Sequence, residues 1–357
     1  VRVSIIGRDS ITKYLNSEDI NKIKDENIIF LKKTEALDKT GLRLNPISIS
    51  DYNLKMKVKK ELKLSFNDEI VIKIKKTWVS LLKTFRYKKR SSFIDLEKMF
   101  SYDLTLIKSD TINNNSNKPK FYNTLKESNI LKNKETYEIE LEFIGNKTAN
   151  KLNSNPKVVY EKLYKYIFNI LVIIQKTDYI LSNSKKLELL NSYYKLINGN
   201  LDDYRLIISK LKQSHGGIGP KFVSLNIDNL ILNNPDTEYC IRNGYCVTEK
   251  VDGERQFLYI NGEGRGYLLN NALEFKDTNL NFPDIRNCIY DGELVLQDKL
   301  KNIINHYLIF DCYFFNGEDI RHLPLKTRDT SVKLDSRLEK AKILSDQYKK
   351  VNNLNNL

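Results

Sequence analysis

VTEKVDGERQ, the stretch from Val247 to Gln256, concentrates the residue types that handle phosphates. It places Lys250 two residues before an Asp-Gly pair and five residues before Arg255. A lysine amine attacks phosphorus only when unprotonated, so a nucleophilic Lys250 requires a pKa lowered by burial or by neighbouring cations. Gly253 lets the backbone approach a phosphate closely, while Asp252 and Arg255 supply polar partners for a nucleotide. Lys, Asp and Gly are also common in turns, so the stretch alone is compatible with an ordinary charged hairpin.

Two later segments extend this pattern. CIYDGELVL contains Asp291, Gly292 and Glu293, and HYLIFDCYFFNGEDI contains Tyr307, Phe310 and Asp311. KVDGER resembles motif I of the covalent nucleotidyltransferases, the superfamily of mRNA-capping guanylyltransferases and polynucleotide ligases. CIYDGELVL resembles motif III of that superfamily, and HYLIFDCYFFNGEDI resembles motif IIIa. The resemblance implies that Lys250 is the catalytic nucleophile and becomes nucleotidylated. It implies substrate contacts at Asp252, Gly253, Arg255, Glu293, Phe310 and Asp311.

The residues around these motifs predict β-strands. The runs GYCVTEK, QFLYING, GRGYLLN, CIYDGELVL and YLIFDCYFF are rich in β-branched and aromatic residues, and turn residues separate them. We therefore expect Lys250 at a strand end and Asp252-Gly253 in the following turn. On these strands the carboxylate of Glu293 could accept hydrogen bonds from ribose hydroxyls. Phe310 could stack on a base or simply pack in the core.

The N-terminal half is rich in runs that alternate charged and apolar residues. VRVSIIG, LKMKVKKELKL, EIVIKIKKTWV, TFRYKKRSSF, YDLTLIKS and TYEIELEFIG all predict strands, on which alternate residues share one face. The shared faces carry Arg86, Lys88 and Arg90, then Asp103 and Thr105, then Glu138, Glu140 and Glu142. Three glutamates on one strand face repel one another unless they are solvated or bind a cation, and Mg²⁺ or Mn²⁺ suits such oxygen ligands. The alternative is the solvated outer face of an antiparallel sheet.

This set resembles the triphosphate tunnel metalloenzymes, specifically the metal-dependent RNA 5'-triphosphatases. The resemblance implies that Arg86, Lys88 and Arg90 hold the γ-phosphate and that Arg2 and Thr105 contact the substrate. It implies that Glu138, Glu140 and Glu142 bind the metal, and that Asp103 has an acidic or water-positioning role. The expected reaction is metal-assisted attack of water on the terminal phosphate.

The predicted fold is α+β: an antiparallel β-barrel tunnel with flanking helices, then a partial nucleotidyltransferase domain. We expect a tunnel domain at residues 1–212, a linker at 213–222 and a guanylyltransferase domain at 223–357. Helices are predicted from Asn155 to Leu181 and from Ser184 to Lys212, outside the tunnel. The Asn-rich run around Asn114 is predicted to be an exposed loop. By comparison with the two families, an ExE strand would precede Val1 and motifs IV to VI would follow Leu357. The chain alone is therefore expected to bind GTP poorly and to transfer no cap.

The composition is compatible with this interpretation without establishing it. The chain has 357 residues and a formal net charge of +14, which favours polyanionic partners, although an A/T-rich genome also enriches lysine, asparagine and isoleucine. The four cysteines form no CxxC pair and, with three histidines, predict no zinc site, which favours a reducing compartment. No secretion signal is visible and no membrane partner is expected.

Together these patterns predict an mRNA-capping enzyme of the type found in large cytoplasmic DNA viruses. It would act on 5'-triphosphate RNA and GTP with Mg²⁺ or Mn²⁺, in the host cytoplasm or virion, with a cap methyltransferase as a further domain or subunit. The alternatives are an ATP-dependent polynucleotide ligase, whose motifs I and III are equally compatible, and a non-catalytic RNA-binding fragment.

Overall fold

The fold is mixed α+β with antiparallel sheets, as seen in a computed structural model that describes residues 1–109, 120–145, 155–198, 224–232, 240–242, 244–327 and 335–351. The chain divides into two compact units, Val1–Phe168 and Asn169–Leu357. Within the described part of the chain, none of the helices has the length and apolar composition that a membrane crossing needs.

The first unit contains eight strands among its described residues. They are β1 (Arg2–Ile5), β2 (Ile28–Glu35), β3 (Ile47–Ile49), β4 (Leu54–Met56), β5 (Lys59–Lys63), β6 (Arg86–Ile94), β7 (Phe100–Ser109) and β8 (Thr136–Phe143). Its helices are α1 (Arg8–Ser17), α2 (Glu69–Lys76), α3 (Leu125–Ser128) and the first part of α4 (Pro156–Gln175), with 3-10 turns at Ile20–Lys22, Asp25–Asn27, Ser50–Tyr52 and Ile130–Lys132. The strands form the sheets β1-β2-β5 and β6-β7-β8 and the ribbon β3-β4.

The core of the first unit lies between α1, α2 and strand β2. Alternate residues Ile28 and Phe30 of β2 are buried there together with Val71 of α2. The indole nitrogen of Trp78 donates hydrogen bonds to the Tyr14 hydroxyl and to the Glu18 carbonyl, both at 3.2 Å. These bonds fasten the end of α1 to the segment that follows α2.

The run EIVIKIKKTWV was predicted to be a strand, and this prediction is wrong because Glu69–Lys76 forms helix α2. Val71, Ile74 and Trp78 recur at helical spacing and face one hydrophobic cluster. An acidic residue in the first turn and lysines in the last turn also suit the helix dipole. The alternation of charged and apolar residues in this run was compatible with the period of a strand and with that of a helix. Burial of one helical face decided in favour of the helix.

The described residues of the first unit form two separate three-stranded sheets, so the closed barrel predicted from the sequence is not present among them. No strand of β1-β2-β5 pairs with a strand of β6-β7-β8. A closed barrel with a filled or narrow interior needs about eight strands in one continuous hydrogen-bonded sheet. Helix α2 occupies one of the runs that would have contributed a strand.

The second unit is built on one six-stranded antiparallel sheet, in the order β11-β10-β9-β12-β13-β14. The strands are β9 (Glu254–Ile260), β10 (Arg265–Leu269), β11 (Phe275–Asn281), β12 (Cys288–Gln297), β13 (Ile303–Phe315) and β14 (Glu318–Asp319). The remaining elements are the last part of α4, α5 (Asn183–Asn198), a 3-10 turn at Ile227–Leu230 and α6 (Arg337–Val351).

Helix α5 covers one side of this sheet. Its buried residues Leu189, Leu190, Tyr193 and Tyr194 recur at helical spacing and share a core with aromatic residues of β9, β10 and β11. The sequence predicted this segment to lie outside the tunnel, in a first domain that ends at residue 212. The linker proposed at residues 213–222 and the loop around Asn114 lie outside the described residues.

Helix α6 covers the opposite side, where Ala341 and Leu344 pack with residues of β9, β12 and β13. Its first residue, Arg337, donates Nε and Nη2 hydrogen bonds to the two carboxylate oxygens of Asp311 at 2.8 and 3.1 Å. Arg337 also donates from Nη1 to the carbonyls of Arg321 and Leu323. One arginine thus ties α6 both to β13 and to the loop after β14.

Gly292 in β12 is expected to be intolerant of any side chain. A Cβ at this position would lie 2.6 Å from the Leu308 carbonyl oxygen and 2.7 Å from Cζ of Tyr307. The Tyr307 ring cannot retreat freely, because its hydroxyl donates to the Gln256 carbonyl at 2.8 Å. We predict that Gly292→Ala lowers the free energy of unfolding by about 1–3 kcal/mol, measured by urea denaturation.

Gly262 supplies the control for this prediction. A Cβ there would meet Asn287 Oδ1 at 3.4 Å, an ordinary contact, in an exposed turn. Gly262→Ala should leave the urea midpoint nearly unchanged. Equal losses of stability in the two variants would contradict the steric argument.

Candidate functional site

Strands β6, β7 and β8 align the charged residues of the first unit on one side of their sheet. Arg90 is opposite Thr105, which is opposite Glu138, and the neighbouring row joins Asp103 to Glu140. Register partners project to the same side of a sheet. We call this side the polar face, and the residues on it that matter for its chemistry are Arg86, Lys88, Arg90, Ser101, Asp103, Thr105, Glu138, Glu140 and Glu142.

Arg90 is the centre of the polar face. Its Nε donates to Thr105 Oγ1 at 3.0 Å and its Nη1 donates to Asp103 Oδ2 at 2.5 Å, while Nη2 is paired with Glu140. Asp103 is only 4% exposed and also accepts a hydrogen bond from the Ser101 hydroxyl at 3.0 Å. The guanidinium therefore compensates a carboxylate that is withdrawn from water.

At the centre of strand β7, the polar side chains are buried and the apolar Leu104 is exposed. Ser101, Asp103 and Thr105 are at most 8% exposed, whereas Leu104 on the other side of the same strand is 47% exposed. A solvated outer face would show the opposite pattern. The polar face is thus withdrawn from solvent around Asp103, whereas Arg86, Glu138 and Glu140 at its outer strands are partly exposed.

Cations crowd one end of the polar face. The pKa of Lys88 is lowered, first by burial and then by repulsion from Arg86, Arg90 and Arg2, which Glu140 partly opposes. Three arginines acting on one partly buried lysine favour binding of a polyanion, because an anion would relieve both the repulsion and the desolvation.

The glutamates predicted to bind a metal do not form a metal cage in the described residues. Glu138 accepts a hydrogen bond from Arg86 at 3.0 Å and Glu140 is paired with Arg90. Alternate residues such as Glu138, Glu140 and Glu142 are about 7 Å apart along a strand. In the part of the chain that the structure describes, no three His, Cys, Asp or Glu side chains converge to hold an ion. The predicted metal ligands therefore do not fit a metal as they are arranged.

Lys250 lies on the surface of the second unit. Its side chain is 84% exposed and is paired with Asp252, which is 89% exposed. The hydrogen bond and the charge of Asp252 raise the pKa of Lys250, and the charge of Glu293 adds to the effect. The expectation of a lowered pKa is wrong for this arrangement, because an exposed ammonium beside a carboxylate favours its charged form. The run GYCVTEK also forms no strand, and β9 begins only at Glu254.

Arg255 is held in place by Asp291, a fully buried residue of the neighbouring strand β12 that lies two residues from Glu293, the register partner of Arg255. Arg255 Nε donates to Asp291 Oδ1 at 3.0 Å and Nη2 is paired with Oδ2. The Tyr313 hydroxyl donates to the same carboxylate at 2.8 Å. These bonds raise the pKa of Arg255 and fix its orientation. Neither Asp291 nor Tyr313 was predicted from the sequence to have a role, although Asp291 belongs to the DGE run.

Glu293 and Gly253 form a small acceptor site beside Lys250. Glu293 Oε2 is buried and has no hydrogen-bond partner among the described residues. A Cβ on Gly253 would lie 3.1 Å from this oxygen and 2.8 Å from the Leu294 carbonyl oxygen. A side chain on Gly253 would therefore collide with β12 and with this unsatisfied carboxylate oxygen. Such an acceptor is costly to bury unless a ligand donor reaches it.

Phe310 and Asp311, the two remaining predicted substrate contacts, differ in their surroundings. Phe310 is partly buried. Asp311 accepts hydrogen bonds from Arg337 and from the backbone of Cys312, and burial raises its pKa against the effect of Arg337. Asp311 thus anchors helix α6 in this structure, whereas the sequence had suggested substrate binding.

Comparison with known proteins connects the second unit to a family. Residues 200–352 match the family described as "mRNA capping enzyme, catalytic domain". The chain is also 25% identical over 336 residues to the "Probable mRNA-capping enzyme" of Acanthamoeba polyphaga mimivirus. That alignment covers 90% of this chain and 24% of the viral protein, so this chain spans about a quarter of its relative's length. An alignment of that extent includes most of the first unit as well.

Removal of the Arg90 guanidinium should destabilise the first unit. In Arg90→Gln, Asp103 loses its cation while remaining buried, and we predict a loss of about 3 kcal/mol in the free energy of unfolding. Arg86→Gln is the matched control, because the Arg86–Glu138 pair is 43% exposed on both sides and should contribute less than about 1 kcal/mol. Urea denaturation at neutral pH measures both, and equal effects would contradict the central role of Arg90.

Proposed function

We propose that this chain takes part in mRNA 5'-cap formation. The second unit would transfer GMP from GTP through a lysyl-GMP intermediate, and the first unit would bind and hydrolyse the 5'-triphosphate end of RNA. The observation that carries the proposal is the unsatisfied Glu293 oxygen beside Gly253 and Lys250, within a region similar to the capping-enzyme catalytic domain. The polar face of the first unit supports the triphosphatase part.

In the proposed transfer, the Lys250 amine attacks the α-phosphorus of GTP. A nitrogen–phosphorus bond forms, pyrophosphate leaves, and the diphosphate end of RNA then displaces the lysine to take up GMP. Glu293 would accept hydrogen bonds from ribose hydroxyls. Arg255, oriented by Asp291, would contact the nucleotide, and the partly buried Phe310 could stack on the base.

Lys250 must lose its proton before it can attack. Its pKa is raised while it is exposed and paired with Asp252. Nucleotide binding would have to bury the amine and to separate it from that carboxylate, since burial penalises the charged form. Activation of the nucleophile is thus proposed to follow substrate binding.

In the proposed triphosphatase part, Arg2, Arg86, Lys88 and Arg90 would hold the terminal phosphate, with Thr105 beside them. Asp103 would position this set through Arg90. The assignment of Glu138, Glu140 and Glu142 to Mg²⁺ or Mn²⁺ stays a proposal. Because two of these glutamates are paired with arginines, we derive no step through a metal.

The main alternative is an ATP-dependent ligase, since the same motifs serve adenylation. The polar face, together with similarity to a viral capping protein over most of the chain, favours GTP and RNA. A non-catalytic RNA-binding role is the second alternative. A viral setting belongs to the proposal on the strength of the viral relative. A cap methyltransferase partner and a location in the host cytoplasm or virion are proposed from the resemblance of the sequence motifs alone.

Covalent labelling tests the transfer reaction. The natural full-length protein that carries these residues is incubated with α-labelled GTP or ATP and analysed on a denaturing gel. GTP should form an adduct, and Lys250→Ala should reduce it on the order of a thousandfold or more because the nucleophile is lost.

Lys299→Ala serves as control, because Lys299 also acts on the charge of Asp252 but has no assigned role. It should retain the adduct. Exclusive labelling by ATP would establish the ligase alternative. Absence of any adduct would leave only the non-catalytic alternative.

Binding of inorganic tripolyphosphate tests the polar face. Lys88→Gln should weaken this binding about tenfold or more, because a charge-assisted hydrogen bond to phosphate is lost. It should not lower the urea midpoint, since Lys88 is repelled by its neighbours in the free protein. Isothermal titration calorimetry at neutral pH measures the affinity.

The exposed Lys134 provides a matched control, and Lys134→Gln should bind as the unmodified protein does. The pH dependence has a definite sign. The pKa of Lys88 is lowered in the free protein, and a bound anion would raise it. Lys88 should therefore take up protons when the anion binds in the alkaline range just below the ordinary lysine pKa. Proton release there, or equal affinities of the two variants, would argue against an anion site at Lys88.

A further inference from the structure

The sheet β6-β7-β8 has a second side, opposite to the polar face, with its own chemistry. Strand register joins Lys89 to Leu106 and Tyr137 in one row and Phe93 to Tyr102 in another. We call this side the aromatic face. The residues that matter for its chemistry are Lys89, Phe93, Tyr102, Leu104, Tyr137 and Ile139.

The aromatic face is strongly exposed. Tyr137 is 78% exposed, Phe93 57%, Leu104 47% and Ile139 46%. At one end the Tyr166 ring of α4 packs edge-on against Tyr102, with centroids 5.4 Å apart. Large contiguous apolar patches of this kind are uncommon on protein surfaces unless they bind something.

The charge of the aromatic face selects its ligand. The four carboxylates of strands β6, β7 and β8 (Asp103, Glu138, Glu140 and Glu142) all belong to the polar face, so the strand residues of the aromatic face include lysines and no acid. The nearest acid at the Tyr102 end is Asp95, just after β6, which accepts a hydrogen bond from the Tyr166 hydroxyl at 3.0 Å. Lys108 is paired with Glu135 at 3.5 Å. Lys89 is exposed and forms no ion pair among the described residues. Exposed rings beside an uncompensated cation fit a polyanion that has flat apolar groups.

We propose that the aromatic face binds single-stranded RNA by stacking bases on Tyr137 and Phe93, with Lys89 contacting the phosphate backbone. Exposed aromatic residues on a β-sheet are a recurrent platform for single-stranded nucleic acids, and stacking tolerates any base sequence. A protein partner is less well suited, since lysine is depleted in the cores of protein interfaces. The choice of RNA over DNA rests on the proposed function. The proposal that this surface binds a single-stranded nucleic acid does not depend on it.

The dimensions of the face fit a short strand. Tyr137 and Phe93 are two strands and four residues apart, which corresponds to a diagonal of about 16 Å. Sheet platforms of this size stack about two or three bases. The face would therefore hold a few nucleotides without reading their identity.

Fluorescence anisotropy with a labelled single-stranded RNA bearing a 5'-hydroxyl tests the proposal, because such an RNA offers no triphosphate to the polar face. The full chain with Tyr137→Ala and Lys89→Gln should bind about tenfold or more weakly than the unmodified chain. Tyr137→Phe should bind normally, since it keeps the stacking ring. The salt dependence of binding should fall by about one counterion in Lys89→Gln.

The matched control combines Tyr160→Ala and Lys57→Gln. Tyr160 is 66% exposed on α4 and Lys57 is exposed outside this sheet, so this double variant removes the same groups elsewhere. Equal RNA affinity of the two double variants would overturn the proposal. So would unchanged RNA affinity accompanied by an altered oligomeric state, which would identify a protein interface. GTP labelling of Lys250 should persist in the face variant, so failure of the RNA site and failure of the proposed function remain distinguishable.

Discussion

Buried carboxylates that must be matched by an arginine organise both units of this protein. Asp103 is compensated by Arg90, Asp291 by Arg255 and Asp311 by Arg337. A buried charge without a partner is strongly destabilising, so each pair fixes the relation between two neighbouring elements. Arg90 joins the three strands of one sheet, Arg255 joins β9 to β12, and Arg337 fastens α6 to β13.

This constraint also affects function, because arginines that compensate carboxylates are the groups that bind phosphates best. On the polar face, an incoming triphosphate would compete with Asp103 and Glu140 for the same guanidinium. In the second unit, different residues compensate the buried carboxylate and offer a free acceptor to a ligand. Asp291 holds Arg255 in one orientation, while the unsatisfied oxygen of Glu293 is left for a ligand.

The sequence predicted much of the local structure correctly. Alternation in TFRYKKRSSF, YDLTLIKS and TYEIELEFIG predicted β6, β7 and β8, and the apolar spacing after Asn155 predicted α4. It failed for EIVIKIKK, where alternation and helical spacing coincide. It also failed for GYCVTEK, whose β-branched and aromatic residues do not pair with another strand among the described residues. Strand propensity describes a fit to neighbours that the sequence alone does not reveal.

The sequence by itself determined which side chains share a face, because strand periodicity places alternate residues on one side regardless of the surroundings. It also determined the motifs that make Lys250 a candidate nucleophile. Only the tertiary structure decided which polar side chains are withdrawn from solvent, which carboxylates are paired with arginines and that Asp311 anchors a helix. It also showed that Lys250 is exposed with a raised pKa. Burial, ion pairing and pKa depend on residues distant in the chain, so no local pattern could determine them.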